Sequence, residues 1–267
     1  MISQAINLEP LYPGATLCEK IRKVSAEGFK EVEFWGWDQL DLEEVRRTCE
    51  ETGVKIRAFS GTKEWSLCDV AHRTEYMDWV QKSIEAAKKL DCDTLILFPN
   101  HFTSNGCADF RKQYSQDAMI ANVAATLTML VPILEEHHMT VLLEPLTNKG
   151  TDAGMSVTDT SQGAAIVRAV GSSHVQLLCD VFHMQMMHGN LLNNLLTNLD
   201  IVHYIHIADA PDRHEPGTGE INLDYLAEQI QNSEFEGTVC MEYFPAAETE
   251  KGMPAVKDFL KNLNKGL

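Results

Sequence analysis

The sequence predicts a single α/β domain folded as a (β/α)8 barrel, the TIM barrel, and three observations support this fold class. The chain has 267 residues, a length that fits one such barrel better than two small domains. Short apolar runs alternate with longer amphipathic segments from end to end. Several short runs, such as TLILF and TVLLE, are almost continuously apolar, as parallel strands buried on both faces are.

The eight short apolar runs are the predicted strands. They are Ile2–Asn7, Glu31–Gly36, Lys55–Ser60, Thr94–Pro99, Thr140–Pro145, Val175–Val181, Ile201–Ala208 and Thr238–Tyr243. Each is followed by a longer segment that is predicted to be a helix. In Ala71–Leu90 and Met119–Glu136 the apolar residues recur at spacings of three and four, as in a helix with one face against a sheet. The predicted helices are Thr16–Glu27, Leu42–Thr52, Ala71–Leu90, Met119–Glu136, Thr158–Val170, Leu191–Asn198, Leu223–Asn232 and Pro254–Leu263.

Local signals mark several helix ends. Asp41 and Thr158 are expected N-caps, and Gly28 and Gly53 are expected C-terminal stops. A doubly wound open sheet is the alternative architecture, but no G-x-G-x-x-G follows the first strand. Because the sequence has no composition break, low-complexity tract or long linker, we expect one domain over residues 1–267.

The composition limits the classes of partner. Hydrophobic residues make up 44% of the chain and charged residues 23%, as in an ordinary soluble globular protein. The formal net charge of −17 would repel a phosphate backbone, so nucleic acid is not an expected partner. This negative net charge is compatible with a neutral or weakly charged small-molecule substrate, or with local positive charge from a bound cation.

Targeting signals and cysteine usage indicate the compartment. Residues Met1–Pro10 lack the basic and apolar regions of a secretory leader. No apolar run approaches the roughly 18 residues of a membrane helix, so no membrane partner is expected. The seven cysteines are scattered, with no C-x-x-C pair, as reduced intracellular thiols are. We therefore expect a cytoplasmic protein and leave homo-oligomerisation open.

Ionisable residues stand at the ends of the four late strands. The fifth strand ends at Glu144, the sixth reaches Asp180, the seventh carries His206 and the eighth reaches Glu242. Each follows an apolar run, which places it near the C-terminal mouth of the barrel, where enzymes of this fold have their sites. Because successive strands are adjacent, the four side chains should converge.

Convergence of three carboxylates near an apolar floor is unfavourable unless a cation is present. One divalent metal bound by Glu144, Asp180, His206 and Glu242 would remove that conflict. Three carboxylates and one imidazole suit Mn²⁺ or Mg²⁺, with Co²⁺ also open, better than structural Zn²⁺. The alternative interpretation is that these residues are separate and pair with Lys or Arg.

Three further polar residues lie close to these strand ends. His183 follows the sixth strand in DVFH and could reach a ligand oxygen. Arg213, in the loop DAPDRHEPGTGEIN, could donate to a substrate oxygen or carboxylate, or could brace the loop by a salt bridge. Glu220 in the same loop is a candidate supporting residue.

Four other residues are expected to wall the pocket opposite the metal, or alternatively to serve only in packing. They lie at the ends of the second, third and fourth strands and are Trp35, Trp37, Phe59 and His101. Of these, Trp35 and His101 are the predicted substrate contacts.

The motifs LLEPL, CDVFHMQ, HIADAPDRHEPGTGEIN and CMEY occur in this order at the predicted strand ends. They resemble the hydroxypyruvate isomerase family, which belongs to the xylose isomerase-like barrels, together with ketose 3-epimerases and endonuclease IV-type nucleases. The resemblance is strongest over residues 140–245. It implies that the metal ligands are Glu144, Asp180, His206 and Glu242. It also implies that Glu144 and Glu242 are the paired acid and base, and that His183 and Arg213 contact substrate.

Two residues depart from the family patterns. His206 resembles the ligand of ketose 3-epimerases, whereas the hydroxypyruvate isomerase-like pattern has Gln there. Gly150 stands where those epimerases carry a further Glu. Isomerisation, 3-epimerisation and metal-assisted C-glycoside cleavage therefore stay open. A DNA-repair phosphodiesterase of the same fold is less favoured, because the sequence has no plain His-rich multi-metal site or basic face. A non-catalytic barrel is the other alternative, and protein without metal affinity would favour it.

The chemistry common to the isomerase and epimerase readings removes a proton from the carbon beside a carbonyl. A metal that binds the carbonyl oxygen and the adjacent hydroxyl would stabilise the enediolate that develops. The two carboxylates, Glu144 and Glu242, could take the proton and return it to the neighbouring carbon or to the other face of the same carbon. The first outcome is isomerisation and the second is epimerisation.

Overall fold

The structure is a computed structural model that describes residues 2–264. Eight parallel strands close into a barrel in which each strand pairs with its neighbours in the chain, and the last pairs with the first. The strands are β1 (Ser3–Asn7), β2 (Glu31–Phe34), β3 (Lys55–Ser60), β4 (Thr94–Leu97), β5 (Thr140–Leu143), β6 (Val175–Asp180), β7 (Val202–Ile207) and β8 (Thr238–Met241). The predicted fold class is confirmed. Residues 1 and 265–267 of the predicted domain lie outside the described residues.

Helices surround the barrel. Within residues 2–264 they are α1 (Leu17–Ala26), α2 (Leu42–Thr52), α3 (Arg73–Lys89), α4 (Gln116–His137), α5 (Thr160–Val170), α6 (Val181–Met187), α7 (Leu191–Leu196), α8 (Leu223–Gln231) and α9 (Thr249–Asn262). Helix α6 is absent from the sequence prediction. It begins directly after β6 because the Asp180 side chain accepts a hydrogen bond from the backbone N of His183 and caps the helix.

The predicted helix ends agree with the structure in some places and differ in others. Asp41 caps α2 as predicted, and Gly53 ends it with a φ of 68°. The prediction of Thr158 as N-cap is wrong by one residue, because Asp159 accepts from the backbone N of Gln162. The predicted start of the last helix at Pro254 is also wrong, since α9 begins five residues earlier and buries part of that first segment.

The barrel interior is layered. Its apolar layer consists of Ala5, Ala58, Ile96, Leu142, Leu178, Tyr204 and Cys240. Side chains two residues further along a strand point to the same side. The next inward layer towards the C-terminal mouth therefore contains Asn7, Ser60, Phe98, Glu144, Asp180, His206 and Glu242, and β2 adds Glu33, which pairs in register with Asn7. Period-two alternation thus places the polar residues on an apolar floor.

Helix α4 is long and apolar enough to cross a membrane by length and composition alone. In the structure it packs against the barrel through an apolar stripe. The stripe consists of Met119, Val123, Leu127, Leu130 and Leu134, all buried. Core helices of globular proteins can have the same length and apolar composition.

Candidate active site

The structure brings the four predicted metal ligands together. Glu144, Asp180, His206 and Glu242 are all buried, and one ligand atom from each lies within 4.8 Å of the others. Oxygen and imidazole donors at this separation can surround one divalent ion of the Mn²⁺ or Mg²⁺ type. We call these four residues the acidic cluster.

Arg213 is the cationic side chain that touches the acidic cluster. Its Nη2 lies 3.0 Å from Asp180 Oδ2 and 2.5 Å from Glu242 Oε2. The guanidinium also lies over the rings of Phe182 and Phe244, at 5.2 and 6.0 Å from their centroids. The guanidinium therefore offsets part of the negative charge of two of the three carboxylates. A bound metal ion would do the same.

The loop that carries Arg213 is organised by a buried aspartate. The Oδ2 of Asp209 accepts from the backbone N of Gly217 at 3.1 Å and of Gly219 at 2.8 Å, and its Oδ1 accepts from Ile221 N at 3.0 Å. This network holds Arg213 at a φ of 60°, a left-handed conformation that costs a non-glycine residue about 1–3 kcal/mol. The backbone strain is therefore offset by the loop that aims the guanidinium.

The backbone of Gly219 lies so close to other atoms of this loop that no larger residue fits there. A Cβ atom there would lie 2.0 Å from the carbonyl oxygen of Ala210 and 2.7 Å from Oδ1 of Asp209. The GTG sequence at residues 217–219 thus packs the loop onto Asp209.

His183 is buried beside the acidic cluster. Its Nδ1 accepts a hydrogen bond from the backbone N of Thr147 at 3.3 Å, so the ring proton resides on Nε2. Burial lowers the pKa of His183 to about 4, despite the opposing effect of Asp180. At neutral pH the ring is therefore an uncharged donor, and its Nε2 lies 3.6 Å from Asp180 Oδ2.

The two glutamates of the predicted acid/base pair have opposite electrostatic environments. Burial raises the pKa of Glu144 to about 7. Burial alone would also raise the pKa of Glu242, but Arg213 and His206 hold it well below its usual value. Such separation of two neighbouring carboxyl groups is typical of acid/base sites.

His206 lies between the acidic cluster and a further carboxylate. Its Nδ1 is 2.9 Å from Glu242 Oε2 and 3.3 Å from Glu144 Oε1, and its Nε2 is 3.0 Å from Glu33 Oε2. Burial alone would lower the pKa of His206, but the surrounding carboxylates raise it well above its usual value. Asn7 joins this group, because its Nδ2 donates to Glu33 Oε1 at 2.6 Å and to Glu242 Oε1 at 3.2 Å.

Glu33 and Asn7 were missed by reasoning from the sequence. Both are polar residues on inward-facing positions of early strands, and no motif marks them in the sequence. Period-two counting from Ala5 of the apolar floor would find Asn7, and the register of β2 with β1 then places Glu33 beside it.

A cavity of about 380 Å³ opens above the acidic cluster. Its lining residues are Trp35, Gly36, Ser60, Thr62, Lys63, Phe98, Phe102, Glu144, Leu146, Asp152, His183, Arg213 and Glu242. Among the predicted wall residues, Trp35 is present, and its Nε1 donates to Glu242 Oε1 at 2.8 Å. Three aromatic rings and Leu146 form the apolar part of the wall, and several polar and charged side chains converge on the same space, as in small-molecule sites.

The other predicted wall residues lie elsewhere. The structure does not place His101 at the cavity, because its Nδ1 bonds Ser66 Oγ at 2.8 Å and turns the ring away. Trp37 stacks on Trp79, and Phe59 stacks on Phe34 in the core. Trp37 and Phe59 therefore serve packing, whereas His101 is bonded to Ser66.

Glu220 is also removed from the acidic cluster. It is exposed and accepts a hydrogen bond from Gln185 at 3.1 Å. The sequence missed Lys63, which lines the cavity and forms an ion pair with Asp38. Lys63 follows a strand end without a motif to mark it, which is why only the folded structure reveals its placement.

Comparisons with known proteins agree with this architecture. The family model described as xylose isomerase-like TIM barrel matches residues 21–263. The chain is 28% identical to hydroxypyruvate isomerase of Escherichia coli over 260 residues, which cover 95% of this chain and 97% of that protein. It is 24% identical to 2-oxo-tetronate isomerase of Cupriavidus necator, over 96% of this chain and 98% of that protein.

A solved structure has the same fold. The protein described as an AP endonuclease, family 2, from Brucella melitensis superposes with a TM-score of 0.86 at 24% identity, over 97% of this chain and 99% of that one. At this identity the similarity extends to the fold and carries no argument about the reaction.

Proposed function

The chain belongs to the xylose isomerase-like TIM barrel family, and from this premise we propose that it is a divalent-metal-dependent isomerase of small hydroxy-2-oxo acids. The similarity to hydroxypyruvate and 2-oxo-tetronate isomerases over nearly the whole chain bears out the resemblance predicted from the motifs and indicates an isomerase of small keto acids. The observation that carries the finer proposal is the acidic cluster beneath a cavity that the Arg213 side chain lines.

The acidic cluster is the proposed metal site. Glu144, Asp180, His206 and Glu242 would hold one Mn²⁺ or Mg²⁺, with Co²⁺ as a further candidate, because their donors converge and are buried. A bound divalent ion would stabilise the negative charge that develops on the substrate oxygens during proton removal.

Glu144 and Glu242 are the proposed proton-transfer pair. One carboxylate removes a proton from the hydroxyl-bearing carbon, and the electron pair moves to form an enediolate. The partner carboxylate, in its protonated form, delivers a proton to the former carbonyl carbon. The hydroxyl proton passes to the former carbonyl oxygen, so a 3-hydroxy-2-oxo acid becomes a 2-hydroxy-3-oxo acid without gain or loss of electrons. A pKa near 7 at Glu144 suits a group that both accepts and donates a proton at neutral pH.

Arg213 and His183 are the proposed substrate contacts. The Arg213 guanidinium lines the cavity and can pair with a carboxylate of the substrate. The uncharged His183 ring offers a proton on Nε2 to a substrate oxygen. A cavity of about 380 Å³ suits a molecule of a few carbons, and Trp35 closes one side.

The direct test is turnover of a matched substrate panel. Metal-loaded protein should convert hydroxypyruvate or a 2-oxo-tetronate and should leave uncharged ketoses unchanged or convert them much more slowly. Epimerisation of a ketose at carbon 3, with no turnover of either acid, would replace this proposal by the epimerase reading that His206 favours.

Removal of the cationic contact should separate substrate binding from metal binding. Arg213→Ala should raise KM about ten- to a hundredfold, since a hydrogen bond to a charged group contributes about 1.5–3 kcal/mol. Its metal affinity should be equal to or higher than that of wild type, because the cation that competes for Asp180 and Glu242 is gone. Steady-state kinetics and calorimetry with Mn²⁺ measure both quantities.

The matched control is Arg111→Ala, which removes an exposed arginine paired with Asp109. It should leave KM and metal affinity unchanged. Unaltered kinetics in Arg213→Ala would make Arg213 a brace for its loop and remove it from the substrate site.

Metal affinity should rise with pH between about 5.5 and 8. Before an ion binds, the pKa of Glu144 is about 7 and that of His206 is raised by the carboxylates around it. At low pH, protons therefore compete with the metal ion for Glu144 and His206. Metal binding releases these protons, so it becomes tighter as the pH rises. Calorimetry with Mn²⁺ in buffers of different ionisation enthalpy counts these protons. Affinity that is constant across this range would contradict the assignment of both ligands.

A further inference from the structure

A buried glutamate outside the acidic cluster has an unusual set of partners. Glu33 on β2 is 1% exposed. Its Oε1 accepts from Asn7 Nδ2 at 2.6 Å, and its Oε2 lies 3.0 Å from His206 Nε2. Among residues 2–264, His206 is the only ion-pair partner of Glu33. A buried carboxylate without Lys or Arg is costly, so its place beside one particular ring nitrogen needs a reason.

The two nitrogens of His206 face different surroundings. Nδ1 faces the acidic cluster, at 2.9 Å from Glu242, 3.3 Å from Glu144 and 3.8 Å from Asp180. Nε2 faces Glu33, whose Oε2 lies 3.0 Å away. A neutral imidazole has one N–H donor and one lone pair, and the hydrogen bond made by one nitrogen decides which atom carries the proton.

We propose that Glu33 is a positioning residue that accepts the Nε2 proton of His206 and thereby presents the Nδ1 lone pair to the divalent ion. This inference rests on the proposed metal site. Carboxylates that orient a metal-bound histidine also increase its basicity as a ligand. Glu33 therefore acts on the ion through His206, without contact with the substrate.

Asn7 fixes the direction of this contact. Its Oδ1 accepts from the backbone N of Glu9 at 2.9 Å, so its Nδ2 must face Glu33 and Glu242. The Oε1 of Glu33 is therefore always opposite a donor. In Glu33→Gln, the new amide oxygen would pair with Asn7 and the new NH₂ group would face Nε2. That arrangement favours the tautomer with the proton on Nδ1, which offers the ion no lone pair.

The first test is the metal affinity of Glu33→Gln, measured by calorimetry with Mn²⁺. We expect a loss of about 10–100-fold, the usual effect of removing a carboxylate behind a ligand histidine. The matched control is Glu31→Gln, two residues earlier on β2, where Glu31 binds Ser3 and lies 4.0 Å from Arg57. The control should bind Mn²⁺ as wild type does. Equal affinity in Glu33→Gln and wild type would overturn the inference.

The second test needs no variant and remains decisive if Glu33→Gln fails to fold. In Mg²⁺-loaded wild-type protein, the ¹H–¹⁵N spectrum should show His206 with a protonated Nε2 and an unprotonated Nδ1. The opposite tautomer would overturn the inference. Absence of any divalent-ion binding by wild type would instead overturn the proposed metal site itself, so the two failures are distinguishable.

A third variant, Cys240→Ser, tests whether Glu33 binds the metal ion directly. Glu33, His206 and Cys240 also have donor atoms within 4.8 Å of one another. If the ion sat among these three, Cys240→Ser would weaken Mn²⁺ binding together with Glu33→Gln, and Glu33 would be a ligand and not a positioning residue. We expect Cys240→Ser to retain wild-type affinity.

Discussion

Glu144→Gln and Glu242→Gln should each lose about 10²–10⁴-fold in kcat, the usual effect of removing a positioned general acid or base. Glutamine keeps the size of the side chain and one oxygen donor, so part of the metal affinity should persist. What disappears is the group that takes or returns the proton. Turnover of a hydroxy-2-oxo acid by metal-saturated variants measures the loss.

Thermal melting separates this loss from unfolding. Glu144→Gln should melt near wild type, because it removes a carboxyl group whose charge is disfavoured by burial. Glu242→Gln should melt lower, since Arg213 loses a charged partner at 2.5 Å. Glu220→Gln is the control, as this exposed carboxylate lies in the Arg213 loop and should retain full activity. A folded, metal-loaded Glu242→Gln with full turnover would leave Glu242 as a ligand only.

Removal of the metal should abolish activity and lower thermal stability. An ion that binds only the folded chain stabilises it by about 2.7 kcal/mol when present at a hundred times its Kd. Treatment with EDTA should therefore reduce turnover to background and lower the Tm, and Mn²⁺ or Mg²⁺ should restore both. Asp180→Asn should need far more metal for half-maximal activity, because it replaces a charged ligand.

The surface variant Asp109→Asn is the control for that experiment, since Asp109 forms an exposed pair with Arg111. Its metal requirement should match that of wild type. Elemental analysis that finds no divalent ion, together with activity that EDTA leaves unchanged, would exclude the metal site.

Much of the fold follows from hydrophobic periodicity alone. The eight barrel strands agree with their predicted ranges to within about two residues. The clearest of them, β4, β6 and β8, are mostly apolar runs buried along their whole length. The four late strand ends converge because adjacent parallel strands carry their C-terminal residues to one mouth. The period-two alternation of the strands and their order in the barrel are therefore enough to predict the acidic cluster.

The rest depends on contacts that the sequence does not encode locally. His101 follows a strand as the cluster residues do, yet Ser66 draws its ring away from the cavity. Arg213 reaches the acidic cluster only because Asp209 holds its loop in a strained conformation. Glu33 lies on an early strand without a recognisable motif, and its role becomes visible only when His206 is seen opposite it.

The central claim is that proton transfer between Glu144 and Glu242 isomerises a small hydroxy-2-oxo acid, and turnover in D₂O tests it most directly. Metal-loaded protein is given hydroxypyruvate, and NMR follows the product and its isotope content. The account predicts a 2-hydroxy-3-oxo acid with deuterium at the former carbonyl carbon, because the carboxylate that delivers the proton exchanges with solvent. Product that forms without any deuterium at that carbon would contradict the two-carboxylate account.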